Sequence, residues 1–76
     1  MKEILEILIK SLVGNPEEVT ITEKQEEKVA VYEVKVSESD MGKVIGKQGR
    51  IAKSIRTVMK SVAAKEHKKV VIEFLD

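Results

Sequence analysis

The stretch Val44-Ile45-Gly46-Lys47-Gln48-Gly49-Arg50-Ile51 decides how the rest of this 76-residue chain is read. Two glycines bracket a Lys-Gln pair, an apolar pair precedes them, and a long amphipathic run follows. Glycine lacks a Cβ and tolerates positive φ, so this pattern predicts a tight turn that another backbone can approach closely. The first amides of a following helix have no intrahelical partner, and the helix dipole places partial positive charge there. A phosphate suits such a place, and Lys47 and Arg50 add two cations beside it.

Downstream of the turn, Arg50 to about Lys65 reads as the longest helix. Ile51, Ile55, Val58, Met59 and Val62 form its apolar stripe, and Lys53, Arg56, Lys60 and Lys65 lie outside it. Upstream, Ser37-Glu38-Ser39-Asp40 supplies capping side chains for a short helical segment from Met41 to Ile45. Glu66-His67-Lys68-Lys69 forms the exit of the long helix. Val70 to Leu75 then alternates as a strand, with Val70, Ile72 and Phe74 on one face.

The first half completes the pattern. Met1, Ile4, Leu5, Leu8 and Leu12 recur at helical spacing, with Ile7 and Ile9 widening the stripe, so Met1 to Val13 reads as a helix. Gly14-Asn15-Pro16 ends it, with Gly14 placed for a left-handed cap. Val19-Thr20-Ile21-Thr22 reads as a strand, Lys24 to Glu27 as a polar break, and Lys28 to Val36 as a second strand. Ala30, Tyr32, Val34 and Val36 share one face of that strand. The fold class is α+β in the order α-β-β-α-α-β. A hairpin is followed by a right-handed crossover that returns the last strand parallel to the second, giving a three-stranded mixed sheet with helices on one face.

Ile45-Gly46-Lys47-Gln48-Gly49-Arg50, with Ile51 and Ile55 behind it, resembles the Gly-x-x-Gly signature of KH domains. The element order resembles the type II (prokaryotic) arrangement, and the likeness covers nearly the whole chain as a single KH domain, 1-76. Such modules hold about four single-stranded nucleotides against the loop. The resemblance implies an RNA-binding protein, acting as an RNA chaperone or post-transcriptional regulator, with single-stranded RNA at Lys43, Ile45, Gly46, Lys47, Gln48, Gly49, Arg50, Ile51 and Lys53. It also implies self-association, or pairing with a larger KH-containing partner. Val34 and Ile55 are better placed in ordinary core packing than on the floor of a groove.

Charge is distributed in the sense this requires. Residues 1–40 hold five Lys and ten Asp or Glu, whereas residues 41–69 hold nine Lys or Arg against Glu66 alone. The net charge of +1 therefore conceals a basic block centred on the glycine turn, as expected for a polyanion ligand. Four nucleotides can touch few cations, so those further along the helix are expected to contribute only a screened field.

Other chemistries fit less well. Gly42-Lys43-Val44-Ile45-Gly46-Lys47-Gln48 has one residue too few between its glycines for a nucleotide P-loop, and Gln48 stands where the magnesium ligand belongs. Tyr32 and Phe74 are the only aromatic residues, which disfavours folds that bind by base stacking. With no cysteine and one histidine, no disulfide framework or metal-ligand spacing is present, and no cofactor is expected. His67 reads as a helix-end residue. Glu17-Glu18 and Glu26-Glu27 read as solvated charge, with no nucleophile and base to accompany them, so no enzyme is expected. No apolar run is long enough for a leader or a membrane span, and a cytoplasmic protein is expected. Two functions stand: a single-stranded RNA-binding module, and a protein-interaction module built on the same scaffold. The apolar surplus on the first helix and on Val29, Val31, Val71 and Leu75 keeps the second open.

Overall fold

A computed structural model describes residues 1–75, apart from the side chain of Lys47. Helix α1 spans Lys2–Leu12, and a single 3-10 turn at Pro16–Glu18 leads into strand β1, Thr20–Glu26. Strand β2 is Val29–Lys35, helix α2 is Glu38–Lys65 and strand β3 is Lys69–Leu75. The sheet order is β1-β2-β3, with β1 antiparallel and β3 parallel to β2. The α+β type II KH-like arrangement is the one the sequence pattern predicts.

One face of the sheet carries the core. Ala30, Tyr32 and Val34 on β2 are fully buried, flanked by Ile21 and Ile72, and Leu5, Ile9, Ile55 and Met59 cover them from the helices. Val29, Val31, Val71 and Leu75 lie on the other face, partly or fully exposed. Tyr32 is core, and its hydroxyl donates to Glu23 Oε2 at 2.8 Å. A buried phenol needs such a partner.

Several local expectations change. β1 runs through Lys24 and Gln25 to Glu26, and the turn is the two-residue step Glu27-Lys28. Cross-strand pairs extend the strand: Glu23 receives Tyr32, and Lys24 Nζ lies 3.5 Å from Glu33. Tertiary pairing here outweighs the weak β-propensity of Lys, Gln and Glu. Gly14 does not adopt a left-handed cap, since α1 ends in extended backbone at Val13. On α1 the buried residues are Leu5 and Ile9, whereas Ile4 and Leu12 are exposed and Ile7 is 70% exposed. On α2 the buried line after the turn is Ala52, Ile55, Met59 and Ala63, so Val58 faces outward.

The end of α2 needed a different residue from the usual glycine. His67 has φ 57°, Lys68 N–H donates to Ala63 O at 2.9 Å, and His67 N–H donates to Ala64 O at 3.1 Å. This is a Schellman closure with histidine in the left-handed position. It turns the chain so that Lys69 N–H can donate to Lys28 O at 2.8 Å and begin β3.

Candidate nucleic-acid interface

The site grows from the start of α2. Ser37 is the N-cap, and its hydroxyl accepts Asp40 N–H at 3.2 Å. Asp40 is only 1% exposed and serves a second helix end. Its Oδ1 accepts Gly14 N–H at 2.9 Å, and its Oδ2 accepts Asn15 N–H at 2.9 Å and the Ser37 hydroxyl at 2.8 Å. The Gly14 amide, with the Ser37 hydroxyl and Asn15, holds this carboxyl below its ordinary pKa against the opposing effect of burial. A Cβ on Gly14 would lie 3.3 Å from Asp40 Oδ1, so glycine serves close approach here. These bonds fix the start of α2 to the end of α1.

Eight residues after Asp40 the helix breaks in a particular way. Gln48 and Gly49 take φ values of 64° and 69°. The helix runs on through them, so the turn is a left-handed kink inside α2 rather than a loop between two helices. Only two residues leave the right-handed region, too few to form a separate element. Glycine takes this conformation at position 49 without steric cost, whereas Gln48 bears that cost. Gly46 keeps negative φ, and a Cβ built on it meets nothing within 4 Å. Neither the backbone nor the protein's own packing requires glycine at 46.

Around this kink, Val44 is buried and anchors the helix, while Lys43, Gln48, Arg50 and Lys53 are exposed. Neither of the ion pairs among the described residues uses Lys43, Arg50 or Lys53. The side chain of Lys47 lies outside what the structure describes. Ile45 is 48% exposed, whereas Ile51 is half-buried against the core. Among the described residues, the two isoleucines line different grooves. Ile45 lines a groove of about 600 Å³ with Val36, Met41 and Gly42, and Ile51 lines one of about 530 Å³ with Lys43, Gly46 and Gly42. Gly42 is common to both, so the predicted side chains flank one half of α2 from two sides. Val34 and Ile55 are core residues, as their positions in the pattern predict.

Sequence reading missed the Asp40 bridge. The spacing Ser37-x-x-Asp40 marks a capping pair, but nothing in it points to Gly14 and Asn15 across 25 residues of chain. Gly42 enters the sequence reading only as the first glycine of the rejected P-loop, because an isolated glycine in a helical pattern carries no signal of the groove beside it.

The comparisons agree with this architecture. Residues 2–74 match the family model for the KhpA/KhpB KH domain. The chain is 60% identical over 75 residues to a protein of Clostridium perfringens named RNA-binding protein KhpA, covering 99% of this chain and 100% of that one. It is 56% identical to the Clostridium acetobutylicum protein of the same name over the same extents. It is 45% identical to that of Aquifex aeolicus, covering 100% of this chain and 96% of the other. Fold, kinked Gly-x-x-Gly turn and full-length similarity agree, and the chain belongs to the KhpA/KhpB KH-domain family.

Proposed function

We propose that this protein binds single-stranded RNA, with the sugar-phosphate backbone passing over Gly46-Lys47-Gln48-Gly49 and about four nucleotides held beside α2. The observation that carries the reading is the open space at Gly46 next to the left-handed kink. A glycine with no internal reason to be glycine leaves room for another molecule's backbone. Lys43, Lys47, Arg50 and Lys53 supply the charge, and Ile45 and Ile51 supply apolar contact for bases on either side. The relatives' name, RNA-binding protein, supports the same reading. Binding and release of RNA, as a chaperone or post-transcriptional regulator, need no bond-making chemistry, and no enzyme is proposed. The whole chain acts as one KH domain in the cytoplasm, and no described helix is long and apolar enough to cross a membrane.

The test is Lys47→Asp with Gln48→Asp. Two carboxylates would face the phosphates, and RNA affinity should vanish while circular dichroism and the melting curve stay near wild type. Unchanged affinity in the folded double variant would falsify this use of the loop.

A second reading rests on exposed apolar side chains: Ile4, Ile7 and Leu12 on α1, Val58 on α2, and Val71 and Leu75 on β3. Association through such surface, with a second copy or with a larger KH protein, would join two weak grooves and raise avidity. Sedimentation should detect a weak dimer at micromolar or higher concentration. A strict monomer at high concentration leaves only a heteromeric partner.

A further inference from the structure

The end of α1 and the binding segment of α2 meet at one small space. A Cβ built on Gly14 would lie 3.3 Å from Asp40 Oδ1 and 3.7 Å from Lys43 Nζ. The carboxylate and the ammonium therefore stand where a side chain at position 14 would go. The φ of Gly14 lies outside the left-handed region, so room for these two groups, not backbone freedom, is what glycine supplies there.

The two groups differ in how firmly they are held. Asp40 is 1% exposed, and its carboxylate accepts the Gly14 and Asn15 amides at 2.9 Å each, the Ser37 hydroxyl at 2.8 Å and Asn15 Nδ2 at 3.3 Å. Lys43 is exposed and belongs to neither ion pair among the described residues. Two negative sources attract its ammonium: the Asp40 carboxylate, and the C-terminus of α1, which ends just before Gly14. Lys43 also lines the groove of about 530 Å³ with Ser39, Gly42, Gly46 and Ile51. A lysine loses rotamer freedom when it meets a phosphate, and one already held beside the groove loses less.

We propose that Asp40 is a positioning residue for RNA binding. Buried and out of reach of RNA, it sets the direction of residues 41–46 and keeps the Lys43 ammonium beside the groove, free of an ion pair and ready for a phosphate. The inference rests on the loop reading above, and its test separates the two.

The experiment measures affinity for an unstructured tetranucleotide RNA over a salt series, at a temperature where circular dichroism shows every variant folded. Asp40→Asn keeps the shape but loses the charge, and its one oxygen can serve only one of the Gly14 and Asn15 amides. It should weaken binding about tenfold, the worth of one charge-assisted contact. It should also make the slope of log K against log salt shallower by about 0.7, one phosphate of a single strand. Lys43→Ala should shift the slope equally, and adding Asp40→Asn to it should cost less than Asp40→Asn alone. Gly14→Ala presses on both groups without removing either, and should weaken binding by a smaller factor. Leu5→Val destabilises the core two turns before the end of α1, and should leave affinity and slope unchanged. Wild-type affinity and slope in folded Asp40→Asn and Gly14→Ala would overturn the assignment and leave the loop reading standing. Losses from Asp40→Asn and Lys43→Ala that multiply in full would do the same, as would an equal loss in Leu5→Val. A tetranucleotide indifferent to Lys47→Asp with Gln48→Asp would remove the loop reading and this inference together.

Discussion

Asp40 and Gly14 join two helix ends that lie 26 residues apart in the chain, through a hydrogen bond of 2.9 Å from the Gly14 amide to Asp40 Oδ1. The bond orients the half of α2 that carries Lys43, Ile45 and Gly46, a segment bounded on its other side by the left-handed kink. With the kink at one end, the direction of that segment depends on the carboxylate at the other.

A consequence is sensitivity to acid. The folded-state pKa of Asp40 is depressed, so its stabilisation is complete above the unfolded value of about 4 and is lost as pH falls through the folded value. Glu23 is also held low, by hydrogen bonds from Tyr32 and then Gln25. Denaturant midpoints measured from neutral pH downward should fall below about pH 4. Asp40→Asn should lower the neutral midpoint at an unchanged m-value and flatten the acid limb. A parallel acid limb in the variant would assign the effect to other carboxylates.

Tyr32 gives the opposite dependence. Burial, and then its bond to Glu23, pushes its pKa above the ordinary tyrosine value. Its contribution is therefore complete below about pH 10 and is lost as pH rises through the folded value. The chain has one tyrosine and no tryptophan, so phenolate absorbance reports this site alone. Ionisation should come above pH 10 and coincide with loss of helical dichroism. Titration at the ordinary value with the fold intact would contradict a buried, bonded hydroxyl.

The two left-handed residues of the kink should respond differently to substitution. Gly49→Ala meets no neighbour within 4 Å, so its cost is conformational, roughly 1–2 kcal/mol. Gln48→Gly removes a similar strain but loosens the unfolded chain, and should change stability by less than about 1 kcal/mol. His67→Gly, at the Schellman position, should stabilise by up to about 1 kcal/mol. Thermal melts of the three variants check the ordering, and a neutral Gly49→Ala would mean the kink relaxes.

Elements with strong periodicity were legible in the sequence. The alternation of Ala30, Tyr32, Val34 and Val36 fixed the buried face of β2, and the spacing around Gly46 and Gly49 located the turn. What the sequence hid was long-range. β1 reaches Glu26 because its polar residues find partners on β2, and Gly14 is glycine because of Asp40. The apolar stripe of α2 misled at Val58, since the buried line runs through Ala52, Ile55, Met59 and Ala63 at three- and four-residue spacing and leaves Val58 beside that face. At the site, the run of residues 43–53 was readable, but its division between two grooves meeting at Gly42 depends on packing against β2 and on the kink.

Gly46→Ala tests the central claim most directly, because fold and function should move in opposite directions. Position 46 is helical with negative φ and open space around it, so alanine should stabilise the protein by up to about 1 kcal/mol. The added methyl group stands where the RNA backbone is proposed to pass, and affinity for a short single strand should fall on the order of tenfold, about 1.4 kcal/mol. A melting temperature equal to or above wild type together with weakened RNA binding is the expected result. A stabilised variant that binds RNA as tightly as wild type would contradict the account, and RNA would have to bind elsewhere on the molecule.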